Sequence, residues 1–227
     1  MIRVVIFDLD NTLVDFFRMK SEAIKAAVEA MIDAGLNMDF ELARDGIKKV
    51  YQHKGIEYQE VFDLFLTERL GFIDHKILAS AVVAYRRSRE STLVLYPHVT
   101  ATLSKLAKQG IRLALITDAP PKQAWLRLCY LHLQHLFDIV VTPEDTGTTK
   151  PSPIPFQLVM SKLNITPSEA LMVGDWPDRD VVGGNNAGMC TVFARYGGRK
   201  LESPSGADYE IDDISELVRI VSELNGK

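Results

Sequence analysis

Short runs rich in Val, Ile and Leu recur along this 227-residue chain, at 2–7, 112–117, 138–141, 171–174, 190–194 and 208–211. The first five lack the strict polar alternation of a strand with one wet face and read as strands buried on both sides, and 208–211 is a shorter run. Amphipathic segments separate most of them. Residues 98–109 start behind Tyr96-Pro97 and stop at Gly110, and 121–134 place Trp125, Leu128, Cys129 and His132 on one face. Residues 153–163 and 178–187 also suit helices. Strands alternating with helices imply an α/β fold with a parallel sheet covered on both faces.

Residues 16–92 break this alternation. Apolar residues recur there at helical spacing: Ala23, Ala26, Ala27, Ala30 and Met31; Phe40, Ala43, Ile47, Val50 and Tyr51; Tyr58, Val61, Phe62 and Phe65; Ile77, Ala81, Ala84 and Tyr85. Gly35, Gly55 and Gly71 fall where helices stop. The expectation is an all-helical insertion of about four helices, with residues 1–15 and 93–227 forming the α/β unit. Residues 198–206 read as a surface loop.

Composition narrows the function. The chain is 47% hydrophobic and 25% charged, which suits a globular protein. A net charge of −4 and a pI near 5.8 argue against a nucleic-acid partner. No stretch approaches the roughly 20 apolar residues of a membrane span. The N-terminus turns acidic at Asp8, unlike a signal peptide, so a cytoplasmic location is expected. Cys129 and Cys190 read as two buried thiols in a reducing compartment.

Loops leaving the carboxyl ends of parallel strands gather at one edge, where ligands bind. Asp8 and Asp10 follow the first strand, two residues apart, and in an extended segment both carboxylates face one way. Such a pair needs a cation, a proton or a basic side chain between its charges. The second strand ends in Thr117-Asp118, Lys150-Pro151 follows the third, and the fourth ends in Gly174-Asp175 with Asp180 five residues on. Oxygen ligands in this number suit Mg²⁺. A lysine and a hydroxyl beside them suit a phosphoryl group.

These residues carry a resemblance to the haloacid dehalogenase superfamily of phosphohydrolases: DLDNTL at 8–13, LITD at 115–118, KP at 150–151 and GDWPDRD at 174–180, in order. The resemblance implies a Rossmann-like three-layer core with a small helical cap at 16–92, and Mg-dependent hydrolysis of a small phosphorylated metabolite. It implies that Asp8 is the nucleophile, forming an aspartyl-phosphate, and that Asp10 is the general acid/base. Thr117 would bind a phosphoryl oxygen and Lys150 would neutralise charge. Asp8, the Asp10 backbone carbonyl and Asp175 would hold Mg²⁺, with Asp180 as a ligand or orienting the metal's waters. Asp118 and Lys122 are further candidates for contact with substrate. Trp176, Ala119, Gly184 and Asn185 depart from the common pattern. Trp176 is read as packing under the cap or stacking on substrate. The same scaffold also serves phosphomutases and carbon–halogen hydrolases, but the latter do not require the Asp10 carboxylate. A silent binding protein would be expected to lose one of Asp8, Asp10, Lys150 or Asp175. The glycines at 183–188 do not have dinucleotide-binding spacing, and the five histidines show no metal-ligand spacing. Substrate identity and oligomeric state are not readable from these residues.

Overall fold

A computed structural model describes residues 1–198 and 203–226. The chain divides into two compact units, one of residues 1–15 with 94–227 and one of residues 16–93.

The first unit begins with β1 (Val4–Phe7) and ends with α10 (Glu216–Leu224), the intervening cap excepted. The cap unit holds α1 (Phe16–Asp33), α2 (Phe40–Lys54), α3 (Val61–Leu70) and α4 (His75–Thr92). The chain then continues through α5 (Val99–Lys108), β2 (Arg112–Ile116), α6 (Pro121–Tyr130), β3 (Ile139–Val141), α7 (Pro143–Thr146), α8 (Pro153–Leu163), β4 (Ala170–Gly174), α9 (Val182–Asn186), β5 (Cys190–Ala194), β6 (Tyr209–Ile211) and α10 (Glu216–Leu224). The expected loop at 198–206 falls partly outside the described residues.

All strand pairs are parallel, and the sheet order is β3-β2-β1-β4-β5-β6. Alternate residues of β1 serve both faces: Val4 and Ile6 join Ala114, Ile116, Met172 and Phe156 in one core cluster, while Val5 and Phe7 are equally buried. Doubly buried strands explain the continuous apolar runs. Strands β2 and β3 lie on one side of β1, and β4 on the other. The winding direction reverses beside β1, which is where such sheets bind ligands.

In the cap, Asp39 and Asp74 accept backbone N–H groups at the starts of α2 and α4, and Gly71 closes α3 in the left-handed conformation. The helices enclose Ala27, Met31, Ile47, Phe65 and Leu66. A buried cation on α1, Lys20, donates to the Tyr85 hydroxyl at 2.8 Å and sits 4.0 Å from the centre of the Tyr51 ring.

Three local expectations fail. Residues 178–187 do not form one helix: a widened π turn over Pro177–Val181 precedes the short α9. Helix α6 stops at Tyr130 and buries Ala124, Arg127 and Leu128, while Trp125 is exposed and His132 lies beyond the helix at φ 56°. Cys129 is exposed and Cys190 half-buried, so neither is the buried thiol expected. No helix among the described residues is long and apolar enough to cross a membrane.

Candidate active site

Strand β1 delivers Asp8 to the sheet edge, and the Asp8 N–H is held by the Val173 carbonyl of β4 at 2.9 Å. Beyond it the chain turns sharply. Leu13 and Val14 donate back to the Leu9 carbonyl, and Asn11 adopts φ 62°. The Thr12 hydroxyl donates to Asp8 Oδ2 at 3.3 Å, and the Tyr196 hydroxyl donates to the Thr12 carbonyl at 2.9 Å.

Lys150 reaches this edge from the segment after β3, across a cis peptide bond to Pro151. Its ammonium has three partners: Asp8 Oδ1 at 2.5 Å, Asp180 Oδ1 at 2.7 Å and the Ile116 carbonyl at 3.1 Å. The contacts to Asp8 and the Ile116 carbonyl are hydrogen bonds and the one to Asp180 is an ion pair, so the group is held from three sides. Burial alone would lower the Lys150 ammonium's pKa, but Asp180, Asp8 and Asp118 outweigh it and hold it above the usual range.

Asp175 extends from the end of β4. Asp180 returns to the same spot through the π turn, where its Oδ2 accepts the Trp176 N–H at 2.9 Å. Gly174 makes room for that return, because a Cβ there would sit 2.2 Å from the Asp180 carboxylate carbon. A Cβ on Gly197 would likewise lie 2.5 Å from the Asn11 carbonyl and Asp175 Cβ. Carboxylate oxygens of Asp8, Asp175 and Asp180 lie within 4.8 Å of one another, all three buried. Burial raises the Asp8 carboxyl well above the usual carboxylate range, Lys150 opposes this, and Asp180 and Asp175 push it further up. Three buried carboxylates with one lysine leave a deficit of positive charge, which a hard divalent cation with oxygen ligands would fill. The donor set therefore fits Mg²⁺.

The other residues singled out from the sequence have distinct places. Thr117 is buried after β2, and its hydroxyl accepts the Ala119 N–H at 3.1 Å. Asp118, expected near substrate, gives both oxygens to protein donors: the Lys150 N–H at 3.0 Å and Arg179 Nη1 at 3.0 Å. That guanidinium lies 3.6 Å from the centre of the Trp176 ring. Lys122 is exposed near the start of α6. Asp10 faces Arg127, with Nη1 3.0 Å from Oδ2, so the paired aspartates are matched by separate cations.

The profile of the haloacid dehalogenase-like hydrolase family matches residues 2–188. The chain belongs to that family. This haloacid dehalogenase-like hydrolase is 36% identical over 225 residues to a glyceraldehyde 3-phosphate phosphatase of Methanocaldococcus jannaschii, covering 99% of each chain. It is 37% identical over 231 residues to the protein of that name from Methanopyrus kandleri, again covering 99% of each. In fold it is similar to a β-phosphoglucomutase-type structure from Thermotoga maritima, with TM-score 0.75 and 24% identity over 98% of this chain and 99% of the other. The α/β core and the helical cap after β1 are those of the family, and the hydrolase is of the phosphohydrolase kind.

Sequence reading missed Arg127 in this hydrolase. The available signal was a basic residue at the spacing of Ala124 and Leu128 on α6, which the chosen helix face left out.

Proposed function

We propose that this hydrolase is a phosphatase of small phosphorylated sugars, with glyceraldehyde 3-phosphate the first candidate, acting through an aspartyl-phosphate at Asp8. Full-length similarity to the two archaeal glyceraldehyde 3-phosphate phosphatases carries the choice of substrate.

The chemistry follows from the residues. An Asp8 carboxylate oxygen attacks phosphorus in line, and the ester oxygen leaves on the opposite side. Asp10 gives that oxygen a proton, then takes one from the water that attacks the aspartyl-phosphate and frees inorganic phosphate. Lys150, fixed by Asp180 and the Ile116 carbonyl, stands 2.5 Å from Asp8 and offsets negative charge where the phosphoryl group arrives. Thr117 would hydrogen-bond a phosphoryl oxygen. A divalent cation held by Asp8, Asp175, Asp180 and the Asp10 carbonyl would neutralise the phosphoryl oxygens. The Asp10 carboxylate favours this reading over carbon–halogen hydrolysis, whose halide leaving group needs no proton.

The test compares kcat/KM with Mg²⁺ for glyceraldehyde 3-phosphate, dihydroxyacetone phosphate, phosphoglycolate, glucose 6-phosphate and pyrophosphate. Glyceraldehyde 3-phosphate is expected to lead by about tenfold or more, and Asp8→Asn to be inactive. A flat profile, or an active Asp8→Asn, refutes the proposal.

A further inference from the structure

Arg127 is 6% exposed on a helix face otherwise made by Ala124 and Leu128. A guanidinium this deep is costly unless a carboxylate meets it. Asp10 Oδ2 lies 3.0 Å from its Nη1, and the two side chains are 7% and 22% exposed. The turn after β1 is pinned through its backbone, by the bonds from Leu13 and Val14 to Leu9, from Asn11 to Val14 and from Tyr196 to Thr12. The ion pair with Arg127 adds a contact on the Asp10 side chain itself.

We propose that Arg127 is the positioning residue for Asp10, a guanidinium that holds the acid/base carboxylate in one orientation beside Asp8. The inference rests on the acid/base reading of Asp10 above. Helix α6 starts directly after the Thr117–Pro120 loop, so the segment that carries Thr117 also anchors the residue that aims Asp10. A side chain with free χ angles spends most of its time away from the productive geometry, and small misplacements of a catalytic group are expensive. The Arg127 ion pair narrows that freedom from the α6 side.

Leaving-group dependence separates this role from a merely structural one. A p-nitrophenolate departs with little help, whereas the alkoxide of a sugar phosphate needs a proton as the bond breaks. Arg127→Met, Arg127→Lys, Asp10→Asn and the Arg127→Met/Asp10→Asn double variant are compared on p-nitrophenyl phosphate and on an alkyl phosphate. Arg127→Met is expected to lower kcat on the alkyl phosphate by about ten- to a hundredfold and on the aryl phosphate by less than about threefold. KM should change little on either substrate. In the Asp10→Asn background the same substitution should add nothing further. Arg127→Lys keeps a cation in the buried position, so it guards against a variant that fails to fold; it should show a smaller loss with the same discrimination. Equal losses on both substrates in the Arg127 variants, with Asp10→Asn still discriminating, overturn the inference and leave the Asp10 role standing. An Asp10→Asn variant that does not discriminate overturns both.

Discussion

Gly174→Ala adds one methyl group at the end of β4 and should disable the site without touching any charged residue. The new Cβ would sit 2.2 Å from Asp180 Cγ and Oδ2 and 2.4 Å from Asp180 Cβ, where ordinary contact begins at 3.4 Å. The carboxylate must therefore retreat by roughly 1.2 Å, or the strand end must shift by as much. Asp180 Oδ1 is 2.7 Å from Lys150 Nζ, so a retreat of that size pulls this buried ion pair apart and weakens it. It also strains the bond from the Trp176 N–H to Oδ2. Lys150 then loses one of the partners that aim it at Asp8. Displacement of about 1 Å costs on the order of a hundredfold in rate, and overpacking costs about 1–3 kcal/mol in stability. Gly184→Ala is the matched control: its Cβ would meet Thr191 Cγ2 at 2.7 Å and Met172 Cβ at 3.1 Å, packing atoms rather than catalytic ones. Steady-state kcat on p-nitrophenyl phosphate, measured beside thermal unfolding, separates the two effects. Both variants should melt earlier, and only Gly174→Ala should lose about a hundredfold in kcat. A Gly174→Ala enzyme with wild-type kcat, or a Gly184→Ala enzyme equally crippled, would refute the reasoning.

Two further expectations concern the acid cluster and the thiols. Adding Mg²⁺ to chelator-treated protein should raise its melting temperature, by the equivalent of about 2.7 kcal/mol at a hundred times the dissociation constant; replacing Asp175 with Asn should abolish most of that rise, and an unchanged rise would place the ion elsewhere. Burial, with help from Asp208, pushes the Cys190 thiol up to about 11 from an ordinary 9.0, whereas Cys129 is exposed. A raised pKa means less thiolate, by about a hundredfold near pH 8, so iodoacetamide should label Cys129 well before Cys190. Equal labelling of the two peptides by mass spectrometry would contradict this.

The sheet and its edge could be read from the sequence because both depend on patterns of short range. Doubly buried strands announce themselves as apolar runs, and the end of each run marks where a loop residue must emerge. Asp8 and Asp175 could be grouped for that reason, whereas Lys150 and Asp180 lie farther along their loops and rest on the order of the motifs. What escaped depends on side-chain direction in three dimensions. Arg127 faces inward because Asp10 is there to receive it, and periodicity counts a charged residue as solvent-facing. Asp118 turns to Arg179 and the Lys150 N–H, a pairing between segments 32 and 61 residues apart. The region 178–187 reads as one helix from the sequence, but bringing Asp180 back over Gly174 opens a π turn that no propensity encodes. The apolar spacing continues through 131–134 and so overextends helix α6, which ends at Tyr130.

Trapping the phosphoryl group is the most direct check on the nucleophile. The enzyme is mixed with substrate and Mg²⁺, quenched in acid within the first turnover, digested and weighed by mass spectrometry. The peptide that contains Asp8 should carry the mass of one phosphoryl group, removable by hydroxylamine and absent from Asp8→Asn. Burst release of the alcohol with that peptide unmodified, or with the phosphoryl group on another residue, would contradict the account.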